Sequence, residues 1–239
     1  LCNSTIKNIT FDPKEIDIKF TELAKTNPQN VFHFRIFFSK TGLMQYVAHL
    51  DMVRMLQRIM RISKLPIAYS LGFNVHPRVS PGPPLSIGIQ GENEYCDFVL
   101  ERKVRTDEIL TVLKKSFPNQ LTLKKIQFLE NKKQRAMEFF QYEEMQIIPP
   151  ENLHKTFSEL SENFNNCESK MYTRIRKGKE RTADLKKLVK QISWKDGELN
   201  IIKSIVGAGI FDILREVYGI QREDTNEFVI IRKRLIEKE

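Results

Sequence analysis

The residues in this sequence best suited to chemistry are two histidines and a set of arginines. His49 and Asp51 stand in AHLDMVRMLQRIMR, and His76 stands in GFNVHPRVSPGPPL, where Asn74, His76 and Arg78 occupy alternate positions. Histidine titrates near neutral pH without perturbation, so His49 and His76 are candidate general acid and base; a hydrogen-bonded scaffold role ranks ahead of that for His49 and level with the functional reading for His76. Asp51 falls at a predicted helix start, where a carboxylate accepts hydrogen bonds from free backbone N–H groups, a reading that ranks ahead of a catalytic one. In an extended segment Asn74, His76 and Arg78 face one side, which suits a phosphate or a base edge; the alternative is that Asn74 and His76 only brace the loop.

The other chemistry is charge. Between Val31 and Gly91 seven basic residues, among them Arg35, Arg54, Arg58, Arg61 and Arg78, face Asp51 alone, in a chain of 239 residues and net charge +9. A second basic run, KMYTRIRKGKERT, holds Arg174, Arg176, Lys177 and Lys179, with Tyr172, Arg174 and Arg176 at one strand parity. Lys and Arg that neutralise phosphates release counterions, and Arg beside an aromatic ring stacks on unpaired bases, so both clusters read as an RNA-contacting surface. A solvated basic face is the plainer alternative for the first, and a solvated basic hairpin for the second.

These side chains need elements to hold them. Val31 to Phe38 alternates, with Phe32, Phe34, Ile36 and Phe38 on one face and His33 and Arg35 on the other, the period of a half-buried strand that turns Arg35 away from the core. Ala48 to Ser63 reads as a helix with Met52, Leu56, Ile59 and Met60 on its packing side and Arg54, Arg58 and Arg61 opposite. Strands are predicted at Leu65 to Ser70, Leu85 to Gln90 and Tyr95 to Glu101, with an ordered Pro-rich loop between the first two. A helix from Thr106 to Phe117 and a strand from Leu121 to Leu129 complete a strand-helix-strand-strand-helix-strand order. The order repeats as a strand around Phe139 to Ile148, a Pro-started helix, strands around Met171 to Arg176 and at Glu198 to Val206, a helix at Ile210 to Tyr218 and a strand at Glu227 to Lys233. The predicted fold class is α+β, with two tandem ferredoxin-like (split βαβ) units and antiparallel sheets, 31–135 and 136–239. Residues 1–30 read as a linker or the tail of a preceding domain.

Several classes are excluded or demoted. No apolar run approaches the ~18 residues of a membrane span, and the N-terminus lacks the basic start and apolar centre of a signal peptide, so a cytoplasmic protein with no membrane contact is predicted. The 3 cysteines are odd in number and far apart, which predicts reduced thiols and no metal site. There is no CxxxCxxC, no Walker A and no GxGxxG, so no cofactor is assigned to this segment and an enzymatic role for it alone is disfavoured. The chain opens on Leu1 rather than Met, which predicts a longer polypeptide upstream.

Beyond these patterns, FRIFFSKTG, AHLDMVRMLQRIMR, LPIAYSLGFNVHPRVSPGPPLSIG and EYCDFVLE resemble the signature of the radical-SAM-linked, or radical-SAM-associated, bacterial domain family, whose own function is undefined. The resemblance runs from Val31 to about Leu188 and is carried by His49, Leu50, Asp51, Arg54, Arg58, Arg61, Tyr69, Ser70, Gly72, Phe73, His76, Pro77, Glu94, Tyr95 and Asp97. Ala48 stands where the family has a capping serine, and Val75 where it has a proline; Asp184 matches an acidic position after the second basic run. The resemblance implies a radical SAM protein as partner or upstream domain, and places the iron–sulfur cluster, S-adenosylmethionine and cobalamin there. The expectation is an accessory domain that binds RNA and presents it for modification. Its arginines grip phosphates while His49, Asn74 and His76 line a recognition pocket. Two rivals stand beside it, a metal-independent RNA endonuclease using His49 and His76, and a protein-interaction module.

Overall fold

The structure, a computed structural model, describes residues 31–130, 139–176 and 178–237, with Ile175, Arg176 and Lys179 described in their backbone alone. The expected linker at 1–30, most of the expected junction at 130–135 and the site residue Lys177 lie outside the described residues.

The first half opens with β1 (Phe32–Lys40), whose alternation buries Phe34, Ile36 and Phe38 on one face. Helix α1 (His49–Ile62) lays Met52, Leu56, Ile59 and Met60 on that face. Its start has no side-chain cap, since Ala48 offers none, so burial holds it: roughly 1.5–3 kcal/mol for each large apolar side chain removed from water. There follow β2 (Val79–Pro81), β3 (Gln90–Leu100), helix α2 (Thr106–Ser116) and β4 (Leu121–Leu129). The expected strands at Leu65 to Ser70 and Leu85 to Gln90 do not form. The first is reduced to isolated bridges at Ile67 and Tyr69, while Leu85 and Ile89 instead bury their side chains in a core. β2 lies inside the segment read as loop, and it stays short because the prolines around it have no N–H to donate.

The second half runs β5 (Phe140–Ile148), α3 (His154–Asn166), a hairpin of β6 (Met171–Arg176) and β7 (Lys179–Asp184), the single turn α4 (Leu185–Leu188), β8 (Val189–Lys195), β9 (Glu198–Ser204), α5 (Ile210–Tyr218) and β10 (Val229–Glu237). Asp184 closes the hairpin by accepting from the backbone N–H groups of Lys170 and Lys186. The hairpin is a separate two-stranded sheet, so Met171–Arg176 is not a strand of the main sheet as the sequence suggests; β8 takes that place.

All the other strands join one sheet in the order β4-β1-β3-β10-β5-β9-β8, with β2 on β3. The fold is thus mixed α+β and mostly antiparallel, and the expected antiparallel sheets are fused into a continuous one. They meet at the short parallel pairing of β3 with β10, Gln90 with Ile231 and Gly91 with Arg232. One core lies under α1 and α2, and a second, built from Met145, Ile147, Leu199 and Ile201, lies under α3 and α5.

Candidate functional site

Where the two cores meet, the sheet carries buried charge instead of apolar side chains. Arg232 on β10 is 1% exposed. Its Nε donates to Glu94 Oε1 at 2.8 Å and its Nη2 to Glu94 Oε2, while Nη1 donates to Glu143 Oε2 at 3.0 Å. The two remaining guanidinium hydrogens reach the carbonyls of Pro83, at 2.9 Å, and Pro84, at 3.4 Å. All five donors of the guanidinium are therefore used, and Arg232 ties the loop after β2 to β3 and β5. Lys203 on β9 extends the network, its Nζ 2.6 Å from Glu143 Oε1 and 2.8 Å from the carbonyl of Ser204.

The other end of the network is Lys40 with His49. Lys40 is buried and donates to the carbonyl of Val47 at 3.0 Å. His49, Lys40 and Glu94 line a cavity of about 30 Å³ with Met52, Pro81 and Pro83, room for about one water. Burial lowers the pKa of His49 below the ordinary 6.5, the charges of Arg232 and Lys40 lower it further, and Glu94 opposes them, so the imidazole is neutral at pH 7. Burial also lowers the pKa of Lys40, against the pull of Glu94 and with the repulsion of Arg232. For Glu143 burial acts upward, but Lys203 and Arg232 outweigh it and hold the carboxyl below its ordinary range. A second, larger cleft of about 340 Å³ opens beside the Glu143–Lys203 end.

The residues singled out in the sequence are distributed unequally around this junction. His49 lines the small cavity. His76 does not: it is exposed in the turn between Ser70 and His76, its Nδ1 2.9 Å from the carbonyl of Asn74 and 3.1 Å from Ser70 Oγ. A carbonyl only accepts, so Nδ1 carries the proton and Nε2 is the acceptor of the neutral ring. The Asn74 side chain is exposed in the same turn, and Arg78 is half-buried at its base. Arg54, Arg58 and Arg61 are exposed along one face of α1, where Arg54 pairs with Asp51 at 2.8 Å. Asp51 therefore meets a side chain, while no cap hydrogen bond forms at Ala48. Arg61 and Tyr69 lie near enough for charge to act on the phenol, which brings the basic face to the root of the 70–76 turn.

Two expectations are corrected. Arg35 does turn away from the helix-side core, but it is 6% exposed and not a surface group. It donates to Asp97 at 2.7 and 3.1 Å, and its guanidinium lies 4.7 Å from the Tyr95 ring and 4.9 Å from that of Phe139. An alternating pattern gives the face of a strand but not what covers that face. Tyr172, read as a stacking platform beside Arg174 and Arg176, is buried in the second core, leaving Arg174 exposed on the hairpin. The Arg174 side chain donates to the carbonyl of Gly207 at 3.3 Å and lies 3.7 Å from Asp212.

Sequence reasoning missed Arg232, Glu143, Lys203 and Lys40, since Arg232 and Glu94 are 138 positions apart and no local period joins them. The one available signal was the EYCD segment: Glu94 holds Arg232, Tyr95 stacks on Arg35, and Asp97 pairs with Arg35. Phe73, at the tip of the 70–76 turn, was passed over as a ligand and is fully exposed.

Among the described residues no group of His, Cys, Asp and Glu side chains is arranged to hold a metal ion, and no helix is long and apolar enough to cross a membrane. Cys96 is buried in the first core and Cys167 packs against the second. A search among curated proteins finds no match to this chain. A family pattern matches residues 33–216, the span that holds the α1 arginines, the 70–76 turn and every member of the buried network except Arg232: the chain belongs to the DUF2344 family, described as uncharacterized protein conserved in bacteria.

Proposed function

We propose that this chain is a cytoplasmic, accessory RNA-binding domain that presents RNA to a radical SAM enzyme, in trans or as an upstream domain, for modification. The observation that carries the RNA half is the surface beside the 70–76 turn. Arg54, Arg58 and Arg61 stand exposed on one helix face, Arg58 and Arg61 without an ion pair among the described residues. Phe73, Asn74 and His76 project from the adjoining turn. A row of guanidiniums beside an exposed ring supplies phosphate contacts together with a stacking surface. Resemblance to the radical-SAM-linked domains supports the partner half, in which the cluster, S-adenosylmethionine and cobalamin belong to the partner. The basic hairpin with Arg174, Arg176, Lys177 and Lys179 extends the same phosphate-binding role.

The same reading takes the two halves as tandem ferredoxin-like units, 31–135 and 136–239. The strand orders β4-β1-β3-β2 and β10-β5-β9-β8, each with two helices between its strands, support it.

The test is affinity for a structured RNA as a function of salt. The unaltered chain is expected to lose affinity steeply as salt rises, and Arg54→Ala/Arg58→Ala/Arg61→Ala is expected to reduce the log–log slope by about 2–3, at ~0.7–0.9 per phosphate contact. A slope near zero in the unaltered chain, or one unchanged in the triple variant, overturns the reading.

A further inference from the structure

The charged junction holds more positive than negative groups. Arg232, Lys203 and Lys40 face the carboxylates of Glu94 and Glu143, and Arg174 stands at the rim beside Asp212. Arg232 has no donor to spare. Lys203 has one: its ammonium carries three hydrogens, and Glu143 and the Ser204 carbonyl take two. Lys203 is 2% exposed, and it lines the cleft of about 340 Å³ together with Arg174. Glu143, already held by Lys203 and Arg232, also lines it, and Pro83, Pro84 and Ile205 are among its apolar lining side chains. A volume near the lower end of the ~300–1,000 Å³ range of ligand pockets takes one small ligand and not a length of strand. Two cations together with apolar lining side chains fit a ligand that joins an anion to a ring.

The geometry points to this cleft as a binding site for a single phosphate-bearing nucleotide unit, its phosphate held by Lys203 and Arg174 and its base against Pro83, Pro84 and Ile205. The unit comes either from a free mononucleotide or from a residue of bound RNA turned out of its strand; the second source rests on the RNA-binding reading above. The site and the small cavity lined by His49 share Pro83 and Leu85, so a nucleotide seated there sits on the same buried network as His49.

The experiment titrates AMP and UMP into the full chain by calorimetry and repeats the titration with a short structured RNA. Saturable mononucleotide binding is expected, at least tenfold weaker in Arg174→Ala and in Lys203→Met, and unchanged in the Arg54/Arg58/Arg61 alanine variant. Lys203→Met removes a partner of Glu143 and can unfold the chain, so Val206→Trp, at an exposed position lining the cleft, serves as the second block. Mononucleotide binding that is absent, or that persists undiminished in Arg174→Ala and Val206→Trp, overturns the site even where RNA still binds through α1. Mononucleotide binding with no RNA binding keeps the site, assigns it to a free nucleotide, and overturns only the RNA reading.

Discussion

At the scale of single residues, the account rests on Arg232. A buried guanidinium with both carboxylate partners in place contributes little net stability, but removing it leaves Glu94 and Glu143 charged in a poorly solvated place. Arg232→Met is therefore expected to destabilise the chain by about 3–5 kcal/mol, read from urea unfolding, and a change below about 1 kcal/mol would show that the ion pairs are not formed. The depressed pKa of Glu143 gives a second expectation. A carboxyl lowered by folding contributes stability that is complete above its unfolded value of 4.5 and is lost as pH falls through the folded value. Urea midpoints measured from pH 6 downward are expected to drop below about pH 4.5, and to drop less in Glu143→Gln. His49 acts in the same direction at higher pH, since its neutral form is the folded one: its imidazole is expected to titrate below 6.5 by NMR. None of this was legible from sequence, because a buried charge declares itself through partners. Those of Arg232 lie 89 and 138 positions away.

Elements carry a different lesson. The helices α1 and α5 and the strands β1 and β4 were legible because each has an apolar face with the right period, and burial of that face decides the structure. The segment from Leu65 to Gln90 was misread in detail: its apolar residues plug a core from a nearly strandless loop, which leaves no period to find. That loop packs closely. A Cβ on Gly82 would stand 2.8 Å from the Tyr95 ring, the ring that stacks on Arg35. Gly82→Ala is expected to cost about 1–3 kcal/mol, measured by thermal unfolding, whereas an alanine at exposed Arg58 is expected to stay within ~0.5 kcal/mol. The basic run from Lys170 to Thr182 was legible as a hairpin, and β6 pairs with β7 as one; its separation from the main sheet was not, because Asp184 closes it through the backbone N–H groups of Lys170 and Lys186.

At the scale of the molecule, the continuous sheet makes the halves interdependent. They meet at the β3–β10 pairing, at Arg232, and where Leu85, Ile89 and Tyr95 pack against second-half residues, with Arg232 the charged tie among them; loss of the guanidinium is expected to separate one cooperative unfolding transition into two, visible as non-coincident transitions by tryptophan fluorescence (Trp194 in the second half) and by far-UV circular dichroism. The basic face of α1 and the 70–76 turn belong to the first half, and the charged cleft lies beside the junction. The central claim is that RNA lies along α1 and the turn, and ultraviolet cross-linking of a bound structured RNA followed by peptide mapping tests it most directly. The account predicts cross-links in the peptides spanning residues 49–62 and 70–78, centred on Phe73 and lost in the Arg54/Arg58/Arg61 alanine variant. Cross-links confined to β4 or to the far edge of the sheet at β8, or none at all under conditions where RNA is bound, would contradict it.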